Sequence, residues 1–124
     1  MKLHFPCGQP PEGQDVLWRC EAKRYSYVVD ADREEYGVTD PRLELRWFRV
    51  AKRTPKGAHV AYATTEAGGT YVGLSRNKAF ARNTIDEAVR DFKERRKRQI
   101  AILKGQLSRA RYELALTEEK FNAL

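Results

Sequence analysis

The chain has 124 residues, of which 41% are hydrophobic and 33% charged, with a net charge of +7. A length of this order holds one domain, or one domain with a helical arm, and buries only a modest core. The apolar runs fall far short of a membrane span, residues 1–6 lack a signal-peptide centre, and Cys7 and Cys20 fit no metal or redox spacing. A cytosolic protein with two reduced structural thiols is expected.

Residues 1–14 carry Pro6, Gly8, Pro10, Pro11 and Gly13. They read as a loop or arm after a short initial strand. From Val16 to Val29, Cys20, Ala22, Arg24 and Ser26 alternate with Glu21, Lys23, Tyr25 and Tyr27. That pattern predicts a strand without settling which face is buried. Residues 30–42 are acidic and turn-rich and are expected to form a surface loop. Leu43, Leu45, Trp47 and Arg49 alternate with Glu44, Arg46, Phe48 and Val50 as a second strand. Thr54-Pro55-Lys56-Gly57 suits a turn, because proline presets φ at its second position. His59–Ala63 follows as a partner strand, Ala67-Gly68-Gly69 as a turn and Thr70–Leu74 as a last strand. An antiparallel meander of about four or five strands results. Trp18 and Trp47 read as core, and so do most of Tyr25, Tyr27, Tyr62 and Tyr71, with one or two on an exposed sheet face.

Ser75–Asn83 is a basic connector that contains Phe80. Thr84-Ile85-Asp86-Glu87 is a capping box, so a helix begins there. From Ile85 the seam Val89, Phe92, Arg96, Gln99, Leu103, Leu107, Ala110, Leu114, Thr117, Phe121 and Leu124 recurs at steps of three and four. Such a seam exceeds what a small sheet covers. It calls for pairing with another copy, or for a fold back at Gly105. Residues 1–83 and 84–124 are accordingly read as a sheet domain and a helical oligomerisation arm.

Chemistry-bearing motifs are sparse. His4 and His59 are the only histidines, and nucleophile-elbow, zinc-protease and phosphate-loop motifs are absent. No acid–base pair stands out, so catalysis, cofactors and metals are not expected. Between Arg90 and Arg111 lie nine basic and two acidic residues, a net of +7, leaving the remainder neutral. Such a stripe attracts anions, or is simply a solvated face. Arginine outnumbers lysine three to one in Arg95–Arg98, which suits bidentate phosphate binding. Phe80 lies among Arg76, Lys78, Arg82, Asn77 and Asn83. Aromatic, guanidinium and amide together suit a base and its phosphates. Alternatively Phe80 is a hydrophobic staple for the helix.

Within residues 78–107, Lys78, Phe80-Ala81, Thr84, Glu87-Ala88, Phe92 and Arg96-Lys97-Arg98-Gln99-Ile100-Ala101-Ile102-Leu103 carry a resemblance. The segment, with the Thr54–Gly57 turn before it, resembles phage anti-Thoeris sponge proteins. The resemblance spans about residues 46–116, and the first 40 residues lie outside it. It implies an α+β fold: a small antiparallel sheet, then a long C-terminal helix that pairs with another subunit as a coiled coil. It implies a non-enzymatic anti-defence protein in the cytoplasm of the infected bacterial host. Such a protein sequesters a cyclic ADP-ribose isomer, and in some members a cyclic dinucleotide, without cleavage, as a dimer or higher oligomer. The implied ligand-binding residues are Phe80, Asn83, Arg95 and Arg98. Arg109 and Arg111 lie where helical arginines would reach a pocket across a dimer. Two other readings compete: a nucleic-acid-binding protein using the 90–111 helix, and an anti-CRISPR-type inhibitor of a host protein. No membrane partner is expected.

Overall fold

The computed structural model describes residues 2–62 and 68–121. Among these described residues seven strands precede one helix: β1 (Leu3–His4), β2 (Val16–Lys23), β3 (Ser26–Asp30), β4 (Glu35–Val38), β5 (Arg42–Thr54), β6 (Gly57–Tyr62), β7 (Gly68–Gly73) and α1 (Ile85–Phe121). The fold class is α+β, as the patterns predict. The main sheet is organised by β5. β2 lies antiparallel along one side of it, from Lys23↔Arg42 to Val16↔Arg49. Along the other side β1 pairs with Leu43 and Glu44, and β6 follows from Phe48 onward. β7 completes the order on β6. The five-stranded sheet is therefore mixed, because β1 runs parallel to β5. This corrects the all-antiparallel meander: local alternation cannot reveal a parallel partner forty residues away.

The Thr54–Gly57 turn forms as expected, with Thr54 and Gly57 paired across it. Only glycine fits at its end, since a Cβ on Gly57 would lie 2.1 Å from the Val72 carbonyl oxygen. The expected turn at Ala67 and the strand end at Ala63 lie outside the described residues. Gly68 and Gly69 belong to β7 rather than to a turn.

Residues 30–42 are not simply a loop, and the strand expected across Val16–Val29 is two. β3 and β4 form a separate two-stranded hairpin. Asp30 turns it, its Oδ1 accepting the backbone N–H groups of Asp32 and Arg33 at 3.0 and 3.4 Å. Glu34 follows in a left-handed conformation, φ 53°. Gly37 makes room for the Tyr27 ring opposite, where a Cβ would come within 2.3 Å. Tyr27, Val28, Val29, Tyr36 and Val38 all stay exposed.

Two apolar clusters lie on the two faces of the main sheet. Trp18, Cys20, Leu45, Trp47 and Ala88 form one, joined at its margin by Ile85, Val89 and Phe92 from the first turns of α1. Leu17, Phe48, Ala58, Val60, Val72 and Ala81 form the other. Fully burying a side chain such as Leu17 or Leu45 contributes about 1.5–3 kcal/mol. Both tryptophans are core, whereas Tyr25, Tyr27 and Tyr71 are all exposed; more of the tyrosines face solvent than the composition suggests. Cys7 and Cys20 are free thiols.

Helix α1 begins where the capping box places it, with the Glu87 N–H donating to Thr84 Oγ1 at 3.2 Å. It continues through Gly105 without interruption. A lone glycine costs a helix only about 1 kcal/mol, too little to break one otherwise rich in helix formers. The chain divides into two compact units, Met1–Phe92 and Lys93–Leu124. The first eight residues of α1 thus belong with the sheet. In the second unit every described residue from Arg96 to Phe121 is exposed.

Candidate functional site

The apolar cluster of Leu17 and Phe48 occupies only one half of its sheet face. Strand alternation carries Arg19, Glu21 and Lys23 onto that face from β2. Their cross-strand partners on β5 are Arg46, Glu44 and Arg42. The charges thus form rows across the sheet: two arginines, two glutamates, then two more cations. Like charges directly opposite destabilise a strand pair, so each row is compensated along its strand. Arg19 Nε donates to Glu21 Oε1 at 2.6 Å, and Arg46 Nη2 to Glu44 Oε1 at 3.0 Å. Lys23 Nζ lies 3.3 Å from Glu21 Oε2.

Glu44 is only 2% exposed. Its second oxygen accepts the Tyr25 hydroxyl, which raises the pKa of that hydroxyl, and Arg42 lies over the Tyr25 ring. Burial opposes the charge on Arg46, but the bond and charge of Glu44 prevail and its pKa is raised. The Arg46 Nε is buried without a hydrogen-bond partner among the described residues. Burial also disfavours ionised Glu21, yet Arg19 and Lys23 outweigh it and hold the Glu21 pKa low.

Phe80 borders the arginine row. Its ring meets Phe48 edge-on, centroids 5.2 Å apart, and the Arg19 guanidinium carbon sits 4.4 Å from the ring centroid. Arg19 Nη1 also donates to the Phe80 carbonyl at 2.7 Å. Phe80 still remains 47% exposed. It is a half-open aromatic ring paired with a guanidinium, two kinds of group that are able to stack on nucleobases. The two side chains placed against its ring, Arg19 and Phe48, come from β2 and β5.

The other expected residues are distributed differently. Asn83 Oδ1 accepts from Arg53 Nη1 at 2.7 Å, while Arg53 grips both Asp15 oxygens at 2.7 and 2.6 Å. Arg95, Arg98, Arg109 and Arg111 belong to the second unit. Arg98, Arg109 and Arg111 are exposed and Arg95 is partly covered. Phe80 and Asn83 are therefore the two expected residues that the first unit contains, and each has its own partners.

Arg82 reads differently from its place in the connector. It pairs with Asp91, the two side chains 13% and 17% exposed. Its guanidinium also reaches the Leu74, Arg76 and Asn77 carbonyls at 3.4, 3.1 and 3.1 Å. Its backbone exchanges two hydrogen bonds with Trp18 on the free side of β2, at 2.6 and 2.8 Å. It locks the connector in place. Arg19, Arg46 and Tyr25 were the residues missed; the sequence signal for them was the alternation of β2 and β5, which yields a charged face only once the register is known.

Among the described residues no group of three or more His, Cys, Asp or Glu side chains could hold a metal ion. Nor, among them, is any helix long and apolar enough to cross a membrane. No protein-family model, curated protein or solved structure matches the chain.

Proposed function

We propose that this protein binds and sequesters a cyclic nucleotide immune signal of the cyclic ADP-ribose class, without cleaving it. In this reading it is a phage anti-defence protein acting in the cytoplasm of the infected bacterial host, as a dimer or higher oligomer. The observation that carries it is the Arg19–Phe80 platform, half open beside the arginine row. The base stacks on Phe80, and the pyrophosphate takes charge-assisted bonds from arginine. The resemblance of residues 78–107 to sponge proteins supports the same ligand class. Sequestration needs no nucleophile, in keeping with the sparse chemical inventory of the chain.

Incubation with cyclic ADP-ribose isomers, followed by heat denaturation and chromatography, tests this. The protein should withdraw the ligand from solution and return it intact. A hydrolysed product would replace sequestration with catalysis.

One observation favours a second reading. Lys97, Arg98, Lys104, Arg109 and Arg111 are all exposed along the helix, as a nucleic-acid backbone requires. Salt separates the two readings. Binding through six or more phosphates weakens by orders of magnitude as salt rises, and a two-phosphate ligand weakens much less.

A further inference from the structure

The second unit carries a directional pattern that self-association alone does not explain. Leu103, Leu107 and Leu114 are 53%, 49% and 60% exposed, and Ala110 lies between them. Their spacing is four, three and four residues, which reads identically in both directions. Reversing the helix about a point between Ser108 and Arg109 lays Leu103 over Leu114 and Leu107 over Ala110. The same reversal brings Ile100 to Thr117 and Arg96 to Phe121. Large thus meets small at the centre and leucine meets leucine one turn out, with Ile100–Thr117 and Arg96–Phe121 at the margins.

Charge runs in the same sense. Residues 93–111 hold eight basic residues and one acidic, whereas residues 112–121 hold Glu113, Glu118 and Glu119 against Lys120 alone. Lys97 pairs with Glu94 at 3.2 Å. A parallel second copy would lay the basic half against its own like, with charges closer than the screening length of about 8 Å. An antiparallel copy lays Arg98 opposite Glu119 and Lys104 opposite Glu113, with Lys97 opposite Lys120 as the like-charge meeting.

We infer that a second copy of this chain covers the Leu103–Leu114 face, running antiparallel and centred between Ser108 and Arg109. The inference rests on the self-association proposed above and specifies its geometry. It concerns the free protein, so a failure to bind the cyclic signal would leave it untouched.

Spin labels measure it directly in the full-length chain. Ser108→Cys and Lys93→Cys are each labelled with a nitroxide in a Cys7→Ser background; Cys20 is 0% exposed and does not react. An antiparallel pair brings the two 108 labels within roughly 25 Å. It separates the two 93 labels by about 45 Å, the axial rise of the intervening 31 residues. Pulsed dipolar spectroscopy without ligand should return that short and long combination. Short distances at both positions would mean a parallel pair and overturn the inference. No dipolar coupling at tens of micromolar would overturn it as well.

Discussion

Arg19 stacks on Phe80 and also binds its backbone, with the guanidinium carbon 4.4 Å from the ring centroid and Nη1 donating to the carbonyl at 2.7 Å. One strand residue therefore holds a connector residue by both ring and main chain. A cation over an aromatic ring contributes about 0.5–1 kcal/mol at an exposed site. The contact keeps the ring oriented without burying it. Preorganisation of this kind would lower the entropic cost of the ligand stacking proposed for it.

Arg82 should matter for folding rather than for ligand. Arg82→Ala leaves Asp91 and three connector carbonyls without their donor, in a place where the pair is largely buried. Breaking such a pair costs about 3 kcal/mol. Arg82→Lys should recover less than half, since an ammonium cannot span all these acceptors. Urea denaturation of the three proteins measures the difference. Loss of ligand binding at full stability would place Arg82 in the site instead.

Acid should weaken the first unit. The Arg53 hydrogen bond depresses the pKa of Asp15, and Glu21 is also depressed because Arg19 and Lys23 outweigh the opposing effect of burial. A carboxyl with a lower pKa in the folded state binds more protons when unfolded. Its stabilising contribution is thus complete above the unfolded value near 4 and is lost as pH falls through the folded value. Melting temperature should hold steady from neutrality to about pH 5 and then drop. In Asp15→Asn with Glu21→Gln the drop should be shallower. An unchanged acid limb would deny these pairs any role.

Gly105→Ala should stabilise the helix. No neighbour lies within 4 Å of the added Cβ and the backbone there is helical, so the gain is about 0.5–1 kcal/mol. Helical ellipticity and melting temperature should both rise. A decrease would show that the glycine serves a close approach in the assembled protein.

Much of the fold was legible locally. Alternation marked β2 and β5, the Thr54–Gly57 turn led to β6 as a partner strand, and Thr84 with Glu87 marked the helix start. The β4 strand was hidden because Glu35–Val38 buries no face of its own and is held by backbone pairing to β3. The short initial strand was expected, but its parallel pairing to β5 was hidden because that partner is remote in sequence. For the candidate site, Phe80 was visible as an aromatic among cations, but the cation against its ring was not. Arg82, two residues away, is consumed by Asp91, while the arginine that stacks on the ring comes from β2, 61 residues earlier. Strand register decides that juxtaposition, and a charged alternation leaves register open.

Calorimetry with a cyclic ADP-ribose isomer, on wild type and Phe80→Ala at two salt concentrations, tests the central proposal most directly. Wild type should bind, with affinity that changes little between the two salts. Phe80→Ala should lose about 1–3 kcal/mol of stacking, roughly 5- to 150-fold in Kd, while retaining the melting temperature of the wild type within a few degrees. No heat from wild type with the cyclic nucleotide, together with salt-steep binding of a random DNA duplex, would contradict sequestration and establish the nucleic-acid reading in its place.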